Sequence, residues 1–149
     1  MRKIIAAILL SGILFGSCKK KDKDPSKTEL LQKGKWKLSQ ANFNGFVNLM
    51  DNMKDCQKDN FYFFNADKTM TVDEGATKCN SSSEQTYTDG NWNLVNNDAQ
   101  ISINGSALGF GGTLTGDIVT LSSSTLQIKK DTTVSGFKGT ANITFTNVQ

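Results

Sequence analysis

The sequence predicts an all-β fold, an antiparallel up-and-down barrel of about eight strands with short helices near the N-terminus and between strands 1 and 2. Three observations support this prediction. Apolar and polar residues alternate in short runs from Lys35 onward. Turn-forming residues separate most of these runs, and no helical pattern is long enough for a crossover between parallel strands. Such a meander hides its edges by closing, although a two-sheet sandwich would show the same alternation.

Two short elements are predicted at the start of the folded part. Ser26 and Glu29 form a capping-box pattern, which predicts one or two helical turns directly after Ser26. Trp36, Leu38 and Gln40 alternate with polar residues, so the first strand is expected to have these three side chains on one face.

A second helix is predicted between the first and second strands. Four apolar residues recur there at the three- and four-residue spacing of one helical face: Phe46, Leu49, Met50 and Met53. In a structural role, this helix would cover one end of the core. In a functional role, it would be a lid over a cavity, with two methionines that adapt to the shape of a ligand.

The second and third strands are predicted to form a hairpin. Two runs of strand-forming residues lie on either side of Ala66 and Asp67, which have turn chemistry. A turn centred on that pair would place four apolar side chains on one inward face, in the cross-strand pairs Phe61–Val72 and Phe63–Met70.

Cys56 and Cys79 are predicted to form a disulfide. In the hairpin register Cys56 faces position 77, so Cys79 is its diagonal neighbour on the same side. An exported protein would favour the bridge, which would add about 3 kcal/mol to the free energy of unfolding. A catalytic thiol is disfavoured because the chain has no His to lower a thiol pKa.

The rest of the chain supplies the remaining strands. One strand is predicted from Thr86 to Val95, with Trp92 facing inward and a bend or bulge at Asp89–Gly90. The segment Gly105–Gly112 has four glycines and is interpreted as a loop or an irregular strand. Further strands are predicted around Ile101 and Ile103, Leu114 to Leu121, Leu126 and Ile128, and Ala141 to Phe145.

The composition disfavours catalysis and nucleic-acid binding. The absence of His excludes His–metal sites and Ser–His–Asp triads. The acidic residues lie mostly at predicted turns, and none forms a calcium-loop pattern. From Thr28 onward there are ten Lys, twelve acidic residues and no Arg, a net charge of −2. We therefore predict a protein that is not an enzyme and has no cofactor, no metal and no nucleic-acid partner.

Residues 1–17 have the features of a signal peptide. A short basic start precedes the apolar run Ile4–Phe15, which is too short to span a membrane as a helix. The run ends in Phe15-Gly16-Ser17-Cys18, which resembles the lipobox of bacterial lipoproteins; an ordinary secretory leader is the alternative. The resemblance implies cleavage before Cys18 and lipidation of that cysteine. Residues 18–27 would then be a flexible tether and residues 28–149 the barrel domain, lipid-anchored in the cell envelope at the outer membrane.

Several short motifs resemble the lipocalin-like domain of short Bacteroidota lipoproteins. They are Gly34-Lys35-Trp36, Cys56 with Lys58-Asp59, Phe64 to Thr69, Cys79, and Gly90-Asn91-Trp92. The resemblance implies a calycin-type barrel in which Trp36 closes the floor. It also implies a binding role. True lipocalins have an Arg on the last strand that stacks on this Trp, and Lys138 is the candidate substitute here.

Two functions remain open at this point. The first is uptake of a small hydrophobic ligand into the barrel, with lid and wall residues Phe46, Leu49, Met50, Met53, Phe61, Phe63, Met70, Val72 and Trp92. The second is a barrel filled by its own side chains, which contacts another envelope protein through loops such as Gly105–Gly112.

Overall fold

A computed structural model describes residues 23–109 and 112–148 of the chain. The predicted signal peptide, Cys18 and the first part of the predicted tether lie outside the described residues. Within the described part, the helices are all too short to cross a membrane as apolar spans.

Short helices and nine strands make up this part of the chain. The helical elements are α1 (Lys27–Gln32), a 3₁₀ helix (Leu49–Asn52) and α2 (Asp55–Lys58). The strands are β1 (Lys35–Phe43), β2 (Val47–Asn48), β3 (Phe61–Phe64), β4 (Thr69–Asp73), β5 (Thr86–Val95), β6 (Gln100–Gly105), β7 (Gly112–Leu121), β8 (Thr125–Val134) and β9 (Phe137–Val148).

Eight of the strands close into an antiparallel barrel. After β1, strands β3 to β9 follow one another in chain order, and β9 pairs back with β1. That last pairing runs from Lys35 beside Val148 to Phe43 beside Ala141. The predicted all-β up-and-down barrel is confirmed, because two stacked sheets would leave margins that do not pair. Strand β2 is a two-residue addition beside the end of β1.

Large aromatic side chains fill the lower part of the barrel. Phe64 lies between Trp36 and Trp92, with edge-to-face ring centroids 6.5 and 5.5 Å away. Tyr62 and Phe145 form a similar pair at 5.9 Å. Such pairs add about 0.5–1.5 kcal/mol each beyond the apolar area they bury. All five rings are buried, so this part of the interior is a packed core.

Helix α1 closes the floor of the barrel. The predicted capping box is present, with the Ser26 hydroxyl and the Glu29 carboxylate each accepting a backbone N–H from the other residue. Leu31 of this helix is buried, and its carbonyl accepts a hydrogen bond from Trp36 Nε1 at 2.8 Å. Trp36 therefore lies at the floor, where the resemblance placed it.

Lys138 does not substitute for the missing arginine, so that expectation is wrong. It is exposed near the start of β9, whereas Trp36 pairs with Asn147 at the other end of that strand. At the closed end a lysine does lie over a tryptophan, but it is Lys68 from the turn between β3 and β4, and the tryptophan is Trp92. The ammonium group of Lys68 lies 3.8 Å from the ring centroid of Trp92.

The hairpin between β3 and β4 forms in a different register from the predicted one. Its loop is one residue longer, because Lys68 adopts a left-handed conformation with φ of 70°. The resulting cross-strand pairs are Tyr62–Val72 and Phe64–Met70. A shift of one residue moves every side chain of a strand to the opposite face.

As a result, Phe61 and Phe63 are not inward-facing, and that prediction is wrong. Both are half-buried, while Tyr62 and Phe64 enter the core in their place. Phe61 lies instead on the outer face, between the ammonium groups of Lys35 at 4.4 Å and Lys37 at 5.9 Å from its ring centroid.

The predicted helix over Phe46 to Met53 is also wrong. Asn44 and Gly45 have φ values of 51° and 81°, which turn the chain into the short β1–β2 hairpin. Phe46 is therefore 80% exposed. Only the 3₁₀ turn that follows is helical, and Met53 just beyond it is buried.

Two irregularities change which residues face the core. A bulge in β1 leaves Gln40 exposed, contrary to prediction, and turns Ala41 and Phe43 inward. In β5 the expected bulge at Asp89–Gly90 is confirmed by the register shift against β4. Gly90 is needed there because a Cβ would overlap the carbonyl of Asn104.

The disulfide between Cys56 and Cys79 is present, with Cα atoms 5.1 Å apart. Its surroundings differ from the expected strand ends. Cys56 lies in α2, and Cys79 lies in the long loop between β4 and β5. The bridge therefore joins two connecting segments at the end of the barrel opposite α1.

Candidate ligand site

The barrel has a cavity of about 430 Å³ at its open end, which is the end opposite α1. We call it the mouth cavity. Its wall combines apolar and polar side chains, and its lining residues are Leu49, Asn52, Gly109, Thr113, Leu114, Lys130, Thr132, Thr133, Val134, Ala141 and Ile143.

The mouth cavity exists because β7 and β8 separate toward the open end. Their last paired residues in that direction are Asp117 and Lys129. Beyond this pair, β7 continues beside β6 as far as Gly112, and β8 continues beside β9 as far as Val134. Beyond Asp117 and Lys129, therefore, β7 and β8 are no longer paired with each other, and these two unpaired segments form opposite walls of the mouth cavity.

Gly116 marks the place where the two strands still touch. A Cβ atom there would come within 2.6 Å of the carbonyl oxygen of Lys129 and 2.7 Å of Ile128 Cγ2. Below this contact the interior is filled by side chains such as Leu126 and Ile128, which are completely buried. The barrel is thus packed below Gly116, and the mouth cavity lies above it, beside buried side chains of the open end such as Met53 and Leu108.

The lining suits a ligand with an apolar body and a polar end. Leu49, Leu114 and Ile143 are among the apolar side chains of the wall. Lys130 crosses the gap between the strands, and its ammonium group donates a hydrogen bond to the carbonyl of Thr113 at 3.2 Å. Lys130 is the cationic side chain in the lining.

The structure places the predicted ligand-binding residues in several different environments. Leu49 lines the mouth cavity. Met53 is buried next to Gly109, and Met50 is half-buried against the core. Three predicted wall residues are completely buried in the packed part: Met70, Val72 and Trp92. Phe46, Phe61 and Phe63 lie outside the barrel interior, for the reasons given above.

Most of the wall comes from β8 and β9, and no residue of these two strands was among the predicted ligand-binding residues. Ala141 and Ile143 show the alternation of an ordinary buried strand. A usable signal was the run from Lys130 to Thr133, because polar residues there continue the inward positions that Leu126 and Ile128 begin.

Chemically reactive groups are sparse at the open end. Burial raises the pKa of the Tyr62 hydroxyl, which donates a hydrogen bond to the Ala107 carbonyl at 3.2 Å. In the part of the chain that the structure describes, no three side chains of His, Cys, Asp or Glu come together as a metal-binding group.

A closed eight-stranded antiparallel barrel with a packed floor is the fold of calycin-type proteins. Comparison with known proteins identifies the family. A sequence model described as a lipocalin-like domain matches residues 33–128, and the chain belongs to this family.

Comparison with solved structures finds similar chains. A lipocalin-like protein from Bacteroides uniformis ATCC 8492, known from a crystal structure, is 21% identical in sequence, with a TM-score of 0.45. The match covers 78% of this chain and 98% of that one. No curated protein matches the sequence.

Proposed function

We propose that the protein is a cell-envelope lipoprotein that binds a small hydrophobic ligand in the mouth cavity. The observation that carries this proposal is the cavity itself, about 430 Å³ with a wall that combines apolar and polar side chains. Ligand pockets of proteins typically measure about 300–1,000 Å³. Lys130 offers a positive charge to one end of the ligand, so an amphipathic molecule with an anionic or polar end fits best.

The envelope part of the proposal rests on the leader and on the disulfide. Residues 1–17 have the pattern of a signal peptide, and Cys18 follows the small residues Gly16 and Ser17. The Cys56–Cys79 bridge suits an oxidising compartment outside the cytoplasm. We place the lipid-anchored protein at the outer membrane, on its periplasmic face or at the cell surface.

A non-enzymatic role is part of the same proposal. Lipocalin-like proteins are generally binding proteins. The chain has no His, and the lining of the mouth cavity offers Lys130 and threonine hydroxyls but no carboxylate that could act as a general base.

Ligand binding can be tested with a fluorescent fatty-acid analogue. We expect saturable fluorescence enhancement with the wild-type protein. Thr132→Trp would fill the cavity and abolish the enhancement, while Thr120→Trp, on the exposed outer face of β7, would leave it unchanged. Equal enhancement with both variants, or none with the wild type, would refute binding at this place.

Lys130 can be tested separately. Lys130→Met keeps the length of the side chain and removes its charge. We expect it to weaken binding of the anionic analogue by about tenfold, since a hydrogen bond to a charged group contributes about 1.5–3 kcal/mol. Binding of an uncharged probe of the same size should change little. An equal loss for both probes would show that the charge is not recognised.

The anchor has its own test. Cys18→Ala should move the protein from the membrane fraction to the soluble fraction of cells. Unchanged membrane retention would argue against lipidation at Cys18 without touching the ligand proposal.

A second candidate function, contact with another envelope protein, is favoured by an exposed apolar patch. Phe46 and Phe137 are 80% and 73% exposed, and they flank a groove of about 450 Å³ at the tips of the β1–β2 and β8–β9 hairpins. A large contiguous apolar patch on the surface of a protein often marks a site of contact with a partner. Replacing both residues by Ser should abolish cross-linking to a constant partner while ligand binding persists.

A further inference from the structure

The positive charge of the predicted mature chain, residues 18–149, is concentrated next to the proposed site of lipidation. Residues 18–37 contain eight lysines and three acidic residues, a net charge of +5. Residues 38–149 contain seven lysines and eleven acidic residues, a net charge of −4. The positive charge therefore belongs to the predicted tether, to α1 and to the start of β1, whereas the rest of the barrel is acidic.

The structure brings several of these lysines together at the floor of the barrel. Lys27 is the first residue of α1, Lys33 caps the C-terminal end of that helix, and Lys35 begins β1. Lys68 joins them from the turn between β3 and β4, which lies at the same end. Together with Lys37, we call these five residues the floor lysines.

The floor lysines are not neutralised by carboxylates in the part of the chain that the structure describes. The one ion pair there joins Lys58 to Asp55. The ammonium groups of Lys35 and Lys37 lie instead over the ring of Phe61, at 4.4 and 5.9 Å from its centroid. A cation–π contact positions an ammonium group without cancelling its charge.

Alpha-helix α1 and the turns of the floor also carry three acidic residues, and two of them are engaged within the chain. Glu29 accepts hydrogen bonds from Ser26 in the capping box. Asp67 accepts hydrogen bonds from the backbone N–H and the hydroxyl of Thr69. The third, Asp98, lies in the exposed turn between β5 and β6. These three residues carry less charge than the five floor lysines, so this surface is positive.

The partner that this surface fits is an anionic lipid bilayer. The choice of a bilayer rests on the proposed lipid anchor, because a lipid on Cys18 would hold the floor beside a membrane: α1 begins directly after Ser26, the eighth residue after Cys18. A lysine held near an anionic membrane surface strengthens binding about fivefold. We propose that the floor lysines bind the anionic headgroups of the bilayer that carries the anchor.

The proposal can be tested by co-sedimentation of the mature chain with vesicles. The chain carries Cys18→Ala, so that binding reports the lysines and not an acyl chain. We expect binding to vesicles of phosphatidylglycerol and phosphatidylcholine in equal parts, and none to vesicles of phosphatidylcholine alone. Added salt should weaken the binding, because it screens the charges. Equal binding to the two kinds of vesicle, or binding to neither, would overturn the proposal.

Two double variants locate the contact. Lys33→Gln/Lys35→Gln removes two floor lysines and should weaken binding to the anionic vesicles at least about tenfold. Lys54→Gln/Lys138→Gln removes the same charge from exposed positions toward the open end. This matched control should change the binding less than about twofold, because its lysines lie farther from the membrane than salt allows charges to act. An equal loss in both variants would overturn the assignment of the contact to the floor.

An acidic protein is the alternative partner for a positive surface, and polyglutamate represents it. When polyglutamate is added at the charge concentration of the lipid, most of the protein should stay on the vesicles. Release of most of the protein would overturn the choice of a bilayer in favour of an acidic protein.

Failure of the anchor and failure of this proposal are distinguishable. Fractionation of cells at high salt, where electrostatic binding is screened, reports the anchor alone. Vesicle binding by the Cys18→Ala chain reports the floor lysines alone. Loss of the anchor with persistent vesicle binding would support a floor that binds the bilayer without a lipid.

Discussion

Removal of the Cys56–Cys79 disulfide should cost the protein a large part of its stability. The bridge closes a segment with a sequence separation of 23 residues. The chain-entropy relation for a loop of this length gives about 3.4 kcal/mol at 25 °C. For a domain of this size, 1 kcal/mol corresponds to about 2–4 °C in Tm, so the expected decrease is roughly 7–14 °C.

The measurement is urea unfolding of a Cys56→Ala/Cys79→Ala double variant, followed by the fluorescence of the buried Trp36 and Trp92. Wild-type protein with its disulfide reduced is the control, and it should unfold at nearly the same urea concentration as the variant. A loss below about 1 kcal/mol would refute the reasoning. It would mean that the loop is already constrained in the unfolded chain.

Three further predictions follow from the structure. Gly116→Val should lower the free energy of unfolding by about 1–3 kcal/mol through the clash with the Lys129 carbonyl, and a urea midpoint equal to that of wild type would contradict this. Tyr62→Phe should cost about 1 kcal/mol at neutral pH, because the Ala107 carbonyl loses its donor; no loss would show that water replaces the hydroxyl. Stability should fall above about pH 10, because burial raises the pKa of Tyr62 and Tyr87 in the folded state and unfolding then releases protons. Tyr62 contributes its full share of stability at any pH below the pKa that its hydroxyl has in the unfolded chain. The loss of stability at alkaline pH should therefore be smaller in Tyr62→Phe.

The barrel could be predicted from the sequence because its strands have strong local signals. Ile101 and Ile103, or Ile143 and Phe145, alternate with polar residues, and the core of the structure contains all four. The capping box at Ser26 and the bulge at Asp89–Gly90 likewise depend on local chemistry.

The hairpin register could not be predicted in the same way. The difference between the expected pairing and the observed one is a single residue, Lys68, in a left-handed conformation that lysine seldom adopts. Tyr62 and Phe64 have the same apolar and strand-forming character as Phe61 and Phe63, so the pattern alone did not choose between the two faces.

The candidate site was hidden for a different reason. The mouth cavity arises where β7 and β8 part beyond Asp117 and Lys129, and the separation of two strands is a property of the closed barrel. The sequence of β7 gives no sign of this separation, and in β8 the one sign is the polar residues at the inward positions Lys130 and Thr132. The apolar spacing of Phe46 to Met53 suggested a helix, but Asn44 and Gly45 turn the chain before one can begin.

The position of α1 bears on how this barrel would be oriented in a cell. The chain enters the domain at the floor, and the Ser26 cap is the eighth residue after Cys18. A peptide of that length reaches at most about 29 Å. If Cys18 carries a lipid, the tether would attach to the barrel at its floor, and the mouth cavity would lie at the end of the barrel away from that attachment. A ligand of the mouth cavity would then enter at the end of the barrel that is farther from the lipid attachment.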